Sequence, residues 1–181
     1  RPNRMNIATR KQPARAATLA LAVFATALAS VFGGPALARE SLGRFENWGA
    51  FRDPAVPRCY AIAMAEPSRL QRDFQPYAAI GTWPRRNERG QVHFRLSRKL
   101  AQAGRVVLTI SGQRFELSAG GGDAWAADKR MDAAIAAAMR SAGSMTVSAR
   151  DASGRNFANV YDLSGAATAM DAAQIGCAGI R

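Results

Sequence analysis

Ser144–Cys177 reads SMTVSARDASGRNFANVYDLSGAATAMDAAQIGC, and its hydrophobic period changes once along its length. Up to Asp162 the apolar residues alternate, as in strands. From Ala166 they recur at helical spacing. With Asp151–Ala152–Ser153–Gly154 as a four-residue turn, Met145 pairs with Val160 and Val147 with Ala158. Phe157 and Tyr161 then lie on the other face, where the helix can cover them. Ser164 is placed to cap that helix, and Ala166, Met170, Ala173 and Cys177 share one side of it. A strand pair and a helix whose packing side ends on a cysteine make a unit suited to closing a domain.

The other end of the chain sets the compartment. Arg1, Arg4, Arg10, Lys11 and Arg15 precede an uncharged apolar run over Ala16–Phe32, and Ala36–Leu37–Ala38 is a small-x-small cleavage site. Residues 1–38 therefore read as a secretory signal peptide, with Met5 as the natural start. The expected product is periplasmic, secreted or displayed at the cell surface. It has no transmembrane segment after cleavage, because the run is short for a span and a cleavage site follows it closely. Residues 39–181 are one domain in length, with 20 basic residues against 13 acidic ones, a net charge of +7. Only Lys99 and Lys129 of those bases are lysine, so the arginine content reflects compositional bias as much as ligand choice. Cys59 and Cys177 are the chain's two cysteines, and in an oxidising compartment they are expected to pair.

Working outward from the closing unit, Val106–Ile110 and Gln113–Leu117 flank Ser111–Gly112. A two-residue turn there pairs Leu108 with Phe115 and Val106 with Leu117 on an apolar face, and Thr109 with Arg114 and Val107 with Glu116 on a mostly polar one. Asp128 is an N-cap for a helix whose Met131, Ala134, Ile135, Ala138 and Met139 face one way, ending near Gly143. Cys59–Ala65, Tyr77–Trp83 and Val92–Leu96 read as strands, the last with His93 and Arg95 outward. A first strand is expected over Asn47–Arg52, with Phe45, Trp48 and Phe51 as core anchors. The fold class is mainly β: an antiparallel β sandwich or strongly curved sheet of about seven to nine strands with two short α-helices.

Catalytic chemistry finds little support. The single histidine, His93, is expected on an outer strand face, and no G-x-S-x-G elbow accompanies it. One histidine and two paired cysteines make no zinc site. Ala119–Gly120–Gly121–Gly122–Asp123 lacks the lysine and hydroxyl residue of a phosphate-binding loop and reads as a turn. A carboxylate-based hydrolase remains an alternative, yet Glu116, Asp123 and Asp128 have no spacing that selects them from solvated charges. No catalytic residue, metal ligand or cofactor is assigned.

One basic cluster has an aromatic neighbour: Trp83–Pro84–Arg85–Arg86–Asn87–Glu88–Arg89–Gly90, expected as an exposed loop. Trp83, Arg85, Arg86 and Arg89 are the candidate partner contact. Arginine grips phosphate and carboxylate bidentately, which points to an anionic envelope component or an acidic protein face. Nucleic acid is not indicated, since no second basic stripe accompanies the cluster.

Trp48–Gly49–Ala50–Phe51 leading into Cys59–Tyr60–Ala61, Asp123–Ala124–Trp125–Ala126, the alanine-rich helix, Ser144–Met145–Thr146–Val147, and Tyr161–Asp162–Leu163–Ser164–Gly165 before a last cysteine together resemble the invasion-associated locus B family of alphaproteobacteria. The likeness extends from about Phe45 to Cys177 through short motifs, none of them catalytic. It implies a mostly β exported domain of the periplasm or surface. The function expected here is non-catalytic binding of another protein or an anionic envelope component, with a purely structural envelope component as a further alternative. Arg85–Arg86–Asn87–Glu88–Arg89 is more arginine-rich than that pattern, and Phe157–Ala158–Asn159–Val160 replaces a more threonine-rich strand.

Overall fold

A computed structural model describes residues 38–102 and 104–179. The leader read over residues 1–38 thus lies outside the described residues, except for Ala38. The described residues hold no helix long and apolar enough to cross a membrane.

Among the described residues ten strands form a single antiparallel sheet: β1 (Glu40–Phe45), β2 (Trp48–Asp53), β3 (Arg58–Met64), β4 (Tyr77–Trp83), β5 (Glu88–Arg95), β6 (Val106–Ile110), β7 (Gln113–Gly120), β8 (Asp123–Trp125), β9 (Ser144–Arg150) and β10 (Asn156–Asp162). Their spatial order is β1-β2-β3-β4-β5-β8-β7-β6-β9-β10. Two helices occur among the described residues, α1 (Lys129–Met139) and α2 (Ala166–Cys177). It is the expected mainly β class, with strands that periodicity did not reveal. β1 precedes the expected first strand; its ESLGRF carries only two large apolar residues, and its register shifts between Ser41 and Gly43. β8 is three residues long and bridges β5 to β7, too short for alternation to register.

The sheet curls without closing. Phe94 on β5 meets Tyr161 on β10 with ring centroids 5.8 Å apart. Trp48 on β2 is fully buried and donates its indole N–H to the Asp162 carbonyl at 2.9 Å. The Glu66 N–H, just past β3, reaches the Val160 carbonyl at 2.7 Å. The concave side holds the core, including Trp48, Ala61, Phe94, Leu108 and Val147. α2 lies over β1–β4 and α1 over β5 and β6, both with their apolar sides toward the sheet. Of the three expected anchors, Trp48 is buried, while Phe45 and Phe51 are half-buried, Phe51 stacking on Tyr60 at 5.7 Å.

The closing unit departs from its expected register by one residue. β9 and β10 pair Met145 with Tyr161 and Ala149 with Phe157, so Phe157 and Tyr161 join Met145 and Val147 in the core while Val160 is exposed. A one-residue slip moves every side chain to the other face. Its cause is the turn, which spans Asp151–Arg155. The Asp151 N–H bonds to the Arg155 carbonyl at 2.9 Å, and Asp151 Oδ1 accepts the N–H groups of Ser153 and Arg155 at 2.9 and 3.0 Å. The start of α2 differs as well. Gly165, not Ser164, holds the cap position at φ 84°, and a Cβ there would collide with the Phe45 carbonyl. Ser164 instead donates its N–H to Asp162 Oδ1 at 2.7 Å.

The rest of α2 is as expected. Ala166, Met170, Ala173 and Cys177 are all buried, and Cys177 is bonded to Cys59 with Cα atoms 5.8 Å apart. The disulfide pins the end of α2 to the start of β3.

Candidate functional site

The expected contact stretch is a tight corner rather than a loop. β4 ends at Trp83, Pro84–Arg86 make one 3-10 turn with proline at its first position, and β5 begins at Glu88. Asn87 closes the turn at φ 53°, donating its N–H to the Pro84 carbonyl at 3.1 Å. Thr82 Oγ1 then accepts the Gly90 N–H at 3.2 Å. Such a corner fixes the backbone from which its side chains project.

Strand alternation separates the four candidate residues. Ile80 and Thr82 face the helices, so Gly81 and Trp83 face the convex side, where the Trp83 ring lies over Gly81 and a Cβ would strike it. Arg85 and Arg86 are exposed on the turn, and Arg89 reaches the helix side. Trp83 therefore does not share a surface with Arg89. None of the three arginines has a carboxylate within ion-pair distance among the described residues. The acid at the corner, Glu88, is taken by Lys129 Nζ at 3.3 Å, and the same Nζ reaches the Asn87 carbonyl at 3.4 Å.

Beside Arg89 the two helices leave a cleft of about 560 Å³ over β4 and β5. Its floor is Ile80, Thr82 and Gly90. One wall is Ala133 and Ala136 of α1; the other is Met170, Ala173 and Cys177 of α2. Small side chains face each other across the gap, so neither helix fills it. Arg140, at the end of α1, also lines the cleft and donates to Asp171 of α2 at 2.6 Å. That bond raises the Arg140 pKa and lowers that of Asp171. Both groups are exposed, so the bridge positions the helices more than it stabilises them.

This arrangement suits binding: an unpaired guanidinium on the lining, apolar side chains on both helix walls, and a wall locked by the disulfide. The cleft lining, among the described residues, carries no carboxylate and no histidine. Sequence reading missed the cleft and Arg140. Its one signal was the alanine content of both helices, which reads first as core packing.

The other candidates are engaged separately. His93 lies on the convex face as expected, but lodged between Tyr77 and Trp125, with Nε2 2.9 Å from Asp123 Oδ1. Arg95 bonds the second oxygen of Asp123 and stacks over Phe74 at 3.7 Å. Burial raises the Tyr77 pKa, and the nearby Asp123 charge adds to it. Glu116 pairs with exposed Arg105 at 2.6 Å, and Asp128 caps α1 by accepting the Met131 N–H at 2.8 Å. Gly121 and Gly122 form a turn between β7 and β8. No cluster of three or more potential metal ligands occurs among the described residues. No protein-family model, curated protein or solved structure matches this chain.

Proposed function

We propose that this chain is an exported, non-catalytic protein of the cell envelope, of the invasion-associated locus B type, that binds an anionic envelope component or an acidic protein face at the β4–β5 corner. One observation carries the binding site: among the described residues Arg85 and Arg86, on the turn, and Arg89, at the start of β5, have no acidic partner, while the corner's own acid, Glu88, is neutralised by Lys129. Unpaired guanidinium groups need break no existing ion pair before gripping phosphate or carboxylate bidentately. The apolar run and cleavage site in the leader support export, the disulfide suits an oxidising compartment, and the motif likeness supports the family.

The test is retention of a native envelope fraction by purified protein, comparing wild type with Arg85→Ala/Arg86→Ala/Arg89→Ala over several salt concentrations. Wild type is expected to retain its partner with a salt dependence that the variant lacks. Equal retention at every salt concentration would remove the corner as the site.

A further inference from the structure

We infer that the cleft between α1 and α2 takes the acyl chain of a single-chain anionic amphiphile, with its head group at Arg89. The inference rests on the anion-binding reading above and names the ligand class. The cleft is lined by both kinds of group: Ile80, Ala133, Ala136, Met170, Ala173 and Cys177 are apolar, whereas Thr82, Gln174 and two arginines are polar. Of the two guanidinium groups that line it, Arg140 is bonded to Asp171, which leaves Arg89 as the unpaired one, with Arg85 and Arg86 on the adjoining turn.

A free inorganic anion would satisfy Arg89 and leave the apolar walls uncovered. A nucleotide or other flat ring would look for a stacking partner, and the lining contains no aromatic residue. An extended chain with one charged end matches both parts. A volume of about 560 Å³ lies within the range of roughly 300–1,000 Å³ typical of small-molecule sites. One unpaired guanidinium on the lining matches a single charged head group.

Calorimetric titration of the oxidised protein with octanoate, decanoate and dodecanoate, each below its micelle concentration, tests this. Affinity is expected to rise about threefold to fourfold per buried methylene, at one molecule per chain. Arg89→Ala should weaken decanoate at least about tenfold, as expected for a lost charge-assisted bond. Ala133→Phe should abolish binding by filling the cleft; Ala133 is exposed on the helix, so the fold survives, and an unchanged melting curve confirms it. Decanol binding as tightly as decanoate would overturn the head-group assignment. Binding that ignores chain length, survives Ala133→Phe and is matched by inorganic phosphate would overturn the acyl assignment while leaving the arginine corner as an anion site. No binding by any carboxylate, phosphate or envelope fraction would overturn both.

Discussion

At the β9–β10 turn two arginines converge on one carboxylate, whereas at the β4–β5 corner three arginines meet none among the described residues. Asp151 is buried, and besides its backbone bonds it receives the Ser153 hydroxyl at 2.6 Å, Arg98 at 3.1 Å and Arg155 Nε at 3.3 Å. Those cations are structural: they offset a buried charge and hold a five-residue turn. The corner at Pro84–Arg86 is shaped instead by proline, by Asn87 and by the Thr82–Gly90 bond, and the cleft beside it is braced by the Cys59–Cys177 bond. A region held by backbone and covalent constraints can leave its charges available. Arginine content by itself could not distinguish the two corners; their acidic neighbours do.

Removing the brace is the strongest way to break this contrast. Cys59→Ala/Cys177→Ala is expected to lose about 2–4 kcal/mol in urea unfolding, because the bond closes a loop between residues 118 apart. The cleft wall formed by α2 should loosen with it, so decanoate binding should fall too. Unchanged stability would mean that packing alone holds α2 against β3.

Asp151→Ala comes next and acts on the other corner. It leaves Arg98, largely buried, without its deepest partner, and it removes the side chain that sets the turn length. The melting temperature should fall clearly, by less than in the cysteine variant, while anion binding at Arg89 persists. The Asp151 carboxyl is held far below the ordinary carboxylate range, first by the Ser153 hydroxyl and then by backbone N–H groups and Arg98. Its contribution is therefore fully present above about pH 4, the unfolded value, and is lost as the pH falls toward the folded one. Wild type should lose stability in that acid range more steeply than Asp151→Ala, and parallel pH curves would refute the assignment.

These two corners also show what sequence can and cannot disclose. The β6–β7 pairing was legible in full: Ser111 and Gly112 adopt φ 46° and 81°, a two-residue turn fixes register, and Leu108–Phe115 and Val106–Leu117 pair as expected. The β9–β10 pairing was legible as a hairpin but not in register. Val160 and Tyr161 are both apolar, so alternation permits either face, and Asp151 decides through bonds that lengthen the turn by one residue. The disulfide was legible because no other pairing exists. The arginine run was visible as composition, but the separation of Trp83 from Arg89 follows from strand alternation on either side of the tight corner. The cleft was invisible because it joins β4, α1 and α2, which only the topology brings together.

A smaller effect is expected at Asp132 on α1, a buried acid that forms no ion pair among the described residues. Its Oδ1 accepts the Val92 N–H at 2.7 Å, yet burial raises its pKa above the ordinary value. The sign is opposite to that of Asp151. The penalty is absent where the carboxyl is protonated in both states, builds as pH rises from the unfolded toward the folded value, and is fully present above it. Asp132→Asn keeps an acceptor for Val92 and removes the charge. It should raise the melting temperature by about 2 °C at neutral pH and by nothing in acid. A loss at neutral pH would show that the charge is needed where it stands.

The smallest expected change in stability sharpens the comparison most. Arg85→Ala/Arg86→Ala/Arg89→Ala removes three cations that the fold does not use, so unfolding free energy should stay within about 0.5 kcal/mol of wild type. Relief of like-charge repulsion on the turn could only move it upward, and more so at low salt, where exposed charges interact over longer distances. Removing the cations that Asp151 holds should behave otherwise: Arg98→Ala leaves a buried carboxylate short of a partner and must destabilise. Thermal melts of the two variants at low and high salt make the distinction directly. If the triple variant melts as far below wild type as Arg98→Ala does, the β4–β5 arginines hold the fold together, and the contrast between a closed corner and an available one fails.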